Sequence, residues 1–291
     1  MTGLRLDQDY QVHSTFSDDA KSSLFENIRA AESAGLRTMC LVDHARASTA
    51  WVPDMVDAVD DLRPRAGLSL LVGVEVKMLD RTGLLDSPEP VVGVDHILIA
   101  DHQYPSEDGP VQPTDVRRML AEGSLLPAEV AECLVEATVG ATGRRERPIV
   151  AHPFSFLRKL GLHEDVLDQR LLRHFAACAR RGGVVVEVNE KWRCPGPMVV
   201  AELSRQGVRL VAGSDSHQSG GVGQFRYVRE VERRVEAIVA PAPTVREPVA
   251  TGDLRGDRVL LRRAEREASP RATSGRKVDV QLAAQRSHDS L

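Results

Sequence analysis

The chain reads as an α/β protein built as a distorted seven-stranded parallel (β/α) barrel. Three observations predict this. Short apolar runs alternate with amphipathic stretches over the first 240 residues, the pattern of a parallel sheet with helices outside. The apolar runs are continuous rather than alternating, as strands covered on both faces are. Acids and imidazoles also recur where those runs stop: Gln11-Val12-His13, Asp43-His44, Glu75, His102, His152 and Asp215-Ser216-His217. In a parallel barrel the C-terminal strand ends share one face, so residues distant in sequence meet in one pocket.

The elements follow in order. Strand-like runs end at His13, Val42, Glu75, Ala100, Ala151, Val188 and Ala212. Between them, helix-like stretches cover about 22–35, 53–64, 114–140, 164–181 and 197–206, with apolar residues three and four apart. Val166, Leu167, Leu171, Leu172 and Phe175 show that spacing. Gly35, Gly67, Gly182 and Gly207 follow such stretches and read as helix stops. Beyond residue 240 the character changes. Pro241, Pro243, Pro248 and Pro270 punctuate a segment rich in Arg, Ala and Ser. With little to bury, 241–291 reads as a mostly disordered tail with a short helix near 257–267, and 1–240 as the folded domain.

Bulk properties narrow the function. A chain of 291 residues with 42% hydrophobic content supports a sizeable core, and 4% aromatics make that core aliphatic. The net charge of −4 argues against a dedicated nucleic-acid surface. Cys40, Cys133, Cys178 and Cys194 are spread out with no CxxC pair, which predicts free thiols and a cytoplasmic setting. Arg5, Asp7 and Asp9 charge the start of the chain, so no signal peptide is expected. No apolar run approaches the roughly 18 residues of a membrane span. Oligomeric state has no marker.

Several imidazoles and carboxylates without thiolates make a donor set for divalent metals, and predict a metal-dependent hydrolase. Positions i and i+2 of a strand point the same way, so Gln11 and His13 would share the pocket face. An amide oxygen is a weaker, neutral ligand than imidazole. Glu75, with two oxygens, suits a bridge between two ions about 3.5–4 Å apart.

A family resemblance adds to this. Asp9 to Ala20, DYQVHSTFSDDA, resembles the opening motif of the PHP superfamily, named for polymerase and histidinol phosphatase. There the usual pattern is His-x-His followed by Ser or Thr; this chain has Gln11 for the first histidine. Leu41-Val42-Asp43-His44, Val72-Gly73-Val74-Glu75, Asp95 to His102, Ala151-His152-Pro153 and Gly213 to His217 resemble the later motifs in order. Glu187-Val188-Asn189 resembles a strand end of the histidinol-phosphatase-like branch.

The resemblance implies a distorted seven-stranded barrel with two or three divalent ions, zinc, manganese or iron. It implies a first metal on Gln11, His13, Glu75 and Asp215, a second on Glu75, His102 and His152, and a third on Asp19, His44 and His217. Asp18 competes with Asp19. Asp43 is either a ligand or a partner that orients an imidazole, and Asn189 supports the site from behind. The activity implied is hydrolysis of a small phosphomonoester by a hydroxide bridging the metals, with Glu75, Asp215 and His217 catalytic. Either Asp215 or His217 would carry the proton to the leaving group.

Some residues read as structural. His96 lies in an apolar run, His163 and His174 in helix-like stretches, and His288 in the tail. The glycines of 219–223 read as a loop, since no helix follows closely enough for a phosphate cradle. A phosphate substrate also calls for basic side chains. Arg46, Arg158, Lys159, Lys191 and Arg193 follow strand ends, with Arg158, Lys159 and Arg193 preferred. Two competing readings remain: a nucleotide phosphodiesterase or exonuclease, disfavoured by few aromatic platforms, and a degenerate module that binds metal or a partner without turnover.

Overall fold

A computed structural model describes residues 2–145 and 148–239. The expected tail, its short helix and His288 lie outside the described residues. Ten strands occur among them: β1 Gln8–Val12, β2 Thr38–His44, β3 Ser69–Met78, β4 Leu85–Asp86, β5 His96–Ala100, β6 Tyr104–Ser106, β7 Gly109–Val111, β8 Ile149–Val150, β9 Val185–Asn189 and β10 Arg209–Gly213. The α-helices are α1 Leu24–Ser33, α2 Val52–Leu62, α3 Pro113–Glu122, α4 Pro127–Thr142, α5 Ser155–Lys159, α6 Gln169–Arg181, α7 Pro197–Arg205 and α8 Arg226–Val239.

Seven strands pair in the order β1-β2-β3-β5-β8-β9-β10, every pair parallel. Just past β10 the chain returns to β1: Asp215 N–H donates to Gln11 O at 2.9 Å, and His13 N–H to Ser216 O at 2.8 Å. Asp9 reinforces the seam by accepting from Ser214 N at 2.8 Å and Gly223 N at 3.0 Å. The sheet thus comes close to a closed barrel, as expected. β4 adds antiparallel to the end of β3, and β6 and β7 form a separate hairpin.

Strand residues alternate between two apolar clusters. Cys40, Val42, Leu98, Ala100, Ile149, Ala151, Val185 and Val211 fill one with Tyr10, inside the barrel. Met39, Leu41, Val72, Val150, Val186, Val188 and Leu210 join the other, with the helices. That explains the continuous runs: both strand faces are dry. Each such buried aliphatic side chain contributes about 1.5–3 kcal/mol.

Two helices begin where a side chain satisfies a free N–H group of the first turn. Ser23 caps α1 in a capping box with Glu26, and Asp168 caps α6 by accepting from Leu171 N. Differences from the expected helices have local causes. The stretch 114–140 is two helices: Gly123 turns left-handed at φ 72 and Pro127 starts the next. The stretch 164–181 opens with a 3-10 turn at Glu164–Val166 before Asp168. Near Gly182 the left-handed residue is Gly183, φ 63. Helix α8 was not anticipated, although Val228, Val231 and Val235 recur at helical spacing and are buried. The four cysteines are free, three of them buried.

Candidate metal centre

The strand register sets the site. His44 on β2 pairs with Glu75 on β3. His13, Asp215 and His217 follow the β1–β10 seam, His102 follows β5 and His152 follows β8. All seven side chains meet at this end of the barrel. Glu75, 2% exposed, lies at their centre. Its Oε1 is 2.8 Å from His152 Nε2 and 3.1 Å from His102 Nε2. Its Oε2 is 2.9 Å from His44 Nδ1 and 3.5 Å from His13 Nε2. His13 Nε2 is also 3.5 Å from Asp215 Oδ1. Asp19 Oδ2 is 3.1 Å from His217 Nε2 and 3.6 Å from His44 Nε2.

Donors bonded to a tetrahedral ion at about 2.0–2.1 Å stand roughly 3.3 Å apart, the spacing found here. Donor atoms of His13, His44 and His217 lie within 4.8 Å of one another, as do those of His44, Glu75 and His102. Glu75 Oε2 is buried and, among the described residues, has no well-directed hydrogen bond despite His44 beside it. A buried carboxylate oxygen in that condition is costly unless a cation completes it. The donors therefore fit divalent ions. The electrostatics agree: burial would raise the Glu75 pKa, but His102 and His44 hold it well below the carboxylate range.

Residues behind the donors fix their directions. Asp43 accepts from Ser14 N, Ser14 Oγ and Ser17 Oγ at 2.6–2.8 Å. Ser17 Oγ in turn accepts from His44 N at 2.9 Å and lies 3.5 Å from His13 Nδ1. Asp43 thus touches the imidazoles through Ser17. Asn189 donates to Glu187 Oε2 at 3.0 Å and to Gln11 Oε1 at 3.2 Å. The Gln11 amide oxygen is therefore already engaged, and its nitrogen lies 3.4 Å from His13 Nε2.

Sequence reasoning assigned no role to two supports, Asp101 and Glu187. Asp101 Oδ1 accepts from Ser155 Oγ at 2.6 Å and sits 3.4 Å from His152 Nδ1. Glu187 is fully buried; burial pushes its pKa to about 8, and Oε2 accepts from His152 N at 2.7 Å. Both carried a signal: Asp101 stands one residue before His102, and Glu187 opens the Glu187-Val188-Asn189 strand end. Backbone strain gathers here too: His152 (φ 27) and Asp215 (φ 52) hold left-handed conformations that L residues seldom adopt.

A cavity of ≈ 670 Å³ opens over the donors. Asp18 and Asp19 both line it, but Asp19 is the one paired with the imidazoles. Of the basic residues, Arg46, Lys77 and Lys191 line it. Lys191 Nζ lies 3.2 Å from Asp215 Oδ1 and 3.0 Å from His217 Nδ1. Lys159 Nζ donates to His102 O at 3.1 Å behind the lining residues and does not itself line the cavity; burial lowers its pKa. Arg158 is exposed and Arg193 lies over the Tyr227 ring at 5.5 Å; neither lines the cavity. His96 is 5.8 Å from Tyr10, ring to ring, while His163 and His174 are exposed.

Comparisons with known proteins show the family and the fold. The chain belongs to the PHP domain family, whose model matches residues 9–191. A probable phosphatase of Caldanaerobacter subterraneus subsp. tengcongensis is 24% identical over 261 residues, covering 83% of this chain and 87% of that protein. One from Pectobacterium carotovorum subsp. carotovorum is 24% identical over 244 residues, 78% of this chain and 85% of that one. Among solved structures, the histidinol phosphate phosphatase of Lactococcus lactis, complexed with zinc, L-histidinol and phosphate, superimposes with TM-score 0.60. It is 14% identical and covers 80% of this chain and 94% of that one, a likeness of fold. The relatives' names match the phosphoester hydrolase expected from the motifs. No described helix is long and apolar enough to cross a membrane.

Proposed function

We propose that residues 1–240 form a metal-dependent phosphoesterase that hydrolyses a small phosphomonoester at this barrel mouth. The observation that carries the reading is Glu75, a buried carboxylate within 3.5 Å of four imidazoles, with one oxygen lacking a directed hydrogen bond. Two or three divalent ions fit the donors: His13, Glu75 and Asp215 would hold one, Glu75, His102 and His152 a second, and Asp19, His44 and His217 a third. Gln11 stands beside the first. Divalent ions supply Lewis-acid polarisation and water activation near neutral pH.

The chain's own groups do the rest. Lys191, 44% exposed at the cavity, neutralises charge on the phosphoryl oxygens. Lys159, anchored on the His102 carbonyl, adds positive potential from the side. Asp215 and His217, 3.4 Å apart, flank the reacting position, and one of them passes a proton to the leaving oxygen. Glu187, Asn189, Asp43 and Asp101 hold the donors in place, so little reorganisation is needed during reaction. No serine or cysteine nucleophile is required.

One observation favours a second reading, a module that binds metal without turnover: the Gln11 oxygen is engaged by Asn189 rather than free. One experiment separates the two readings. The purified protein is assayed with added zinc or manganese against phosphomonoesters and phosphodiesters. Turnover of monoesters supports the proposal, turnover of diesters alone replaces it with a phosphodiesterase, and metal binding without any turnover favours the module.

A further inference from the structure

The cavity over the candidate centre carries basic side chains on two opposed arcs. Lys191 follows β9, whereas Arg46 follows β2 and Lys77 lies on β3. Around the barrel, β5 and β8 separate β3 from β9 on one side, and β1 and β10 separate β2 from β9 on the other. Lys191 stands beside Asp215 and His217, where it faces the phosphoryl position. Arg46 and Lys77 have no role in that chemistry. Lys77 stands two residues past Glu75 on β3. Its side chain therefore leaves the same strand face, roughly 6–7 Å further out. At ≈ 670 Å³ the cavity has room for more than a phosphoryl group.

Local structure holds this second arc in place. β4 pairs with the end of β3 and sets Asp86 opposite Lys77. Asp86 Oδ1 accepts from Ala47 N at 2.8 Å, and its Oδ2 lies 3.6 Å from Lys77 Nζ. Thr49 Oγ1 accepts from Arg46 N at 2.8 Å, and Thr49 N donates to Arg46 O at 2.9 Å. One carboxylate thus steadies both the loop that presents Arg46 and the ammonium beside it. Both cations keep donors to spare. The Lys77–Asp86 separation exceeds the length of about 2.7–2.9 Å of a direct charge-assisted hydrogen bond. Lys77 gives one proton to Gln103 Oε1 at 3.2 Å, and an ammonium has others. Its side chain is only 24% exposed, so it is not an ordinary solvated lysine. The Arg46 guanidinium has no hydrogen-bond or ion-pair partner among the described residues.

We infer that Arg46 and Lys77 form a second anion subsite, which receives a carboxylate on the substrate's leaving group. The substrate class is then a phosphorylated hydroxy acid, bound at both ends. Charge selects the carboxylate. Arg46 and Lys77 supply two positive charges and Asp86 one negative, and the single charge left over suits a monoanion better than a second phosphate. The planar guanidinium fork also matches the edge of a carboxylate. The inference rests on the phosphomonoesterase reading and adds the functional group that the leaving group carries.

Calorimetry tests the subsite without turnover. The metal-loaded protein is titrated with 3-phosphonopropanoate and with propylphosphonate, which differ in the terminal carboxylate. The corresponding esters, 3-phosphonooxypropanoate and propyl phosphate, then serve as substrates beside propane-1,3-diol bisphosphate. The carboxylate compounds should bind roughly tenfold or more tightly, with a parallel gain in kcat/KM. Arg46→Ala and Lys77→Met should each remove much of that preference by raising KM for the carboxylate ester. Asp86→Asn, which keeps an acceptor for Ala47 N, should move the preference toward the bisphosphate. Equal binding of the two phosphonates, or a preference that the Arg46 and Lys77 variants leave intact, overturns the subsite; hydrolysis of the esters would then leave the phosphatase reading standing. A wild-type preference for the bisphosphate over the carboxylate ester overturns the carboxylate assignment. Carboxylate-selective binding that the variants lose, without hydrolysis of any ester, supports the subsite and overturns the phosphatase reading.

Discussion

Gly213 leaves the space that the Glu187 carboxyl fills: a Cβ on Gly213 would overlap Glu187 Oε1. Glu187 Oε2 in turn accepts from His152 N at 2.7 Å and steadies a residue with φ 27. A missing side chain on β10 thus helps direct an imidazole on the loop after β8. Gly213→Ala should force Glu187 aside and lower stability by about 1–3 kcal/mol, with weaker metal retention. Urea denaturation checks the first effect; an unchanged midpoint would count against this packing argument.

Gln11 offers a neutral amide where the resemblance leads one to expect an imidazole, and Asn189 already holds its oxygen. Gln11→His should raise both metal occupancy and activity. Elemental analysis beside a phosphatase assay reads both. No change in either would mean that the first metal position is complete without an imidazole there.

Lys191 and Arg193 should behave differently although they are two residues apart. Lys191 lines the cavity beside Asp215, while Arg193 rests over Tyr227 outside it. Lys191→Met should raise KM roughly tenfold or more, the worth of a charge-assisted hydrogen bond. Arg193→Ala should leave KM within about twofold. The reverse order in steady-state kinetics would move the phosphate to the other side of the mouth.

Glu164 makes stability depend on pH away from the candidate ligands. Burial pushes its pKa from 4.5 to about 7, against the Gly196 N–H and Arg158. The folded state therefore holds this proton where the unfolded chain releases it. The contribution is full below about pH 4.5 and is lost as pH rises through about 7. Glu164→Gln keeps an acceptor for Gly196 N and removes the titration. It should gain stability over wild type between pH 5 and pH 8, by at most roughly 3 kcal/mol. Denaturation at those two pH values gives the comparison, and an equal difference at both would sink the argument.

The sequence made the seven barrel strands legible because inward and outward faces are both apolar, which leaves uninterrupted runs such as Met39–Val42. It also showed the donors, since each stands at a strand end. Helix breaks were harder to see. Gly123 and Pro127 interrupt one apolar pattern without changing its period. Supports such as Asp9 and Glu187 were less visible because their partners are backbone N–H groups distant in sequence, Ser214 and His152. The cavity wall was equally hidden: Lys77 borders the mouth because β3 runs on past Glu75, and Trp51 because the loop between β2 and α2 reaches it.

The most direct measurement is the metal content of the purified protein and of its Glu75→Ala variant, taken with circular dichroism and hydrolysis. The wild type should carry two or three divalent ions per chain, and the variant one or none. Its spectrum should be unchanged and its hydrolysis reduced at least about a hundredfold. A wild type with no bound metal, or a Glu75→Ala variant that keeps its ions and its turnover, would contradict the barrel-mouth centre described above.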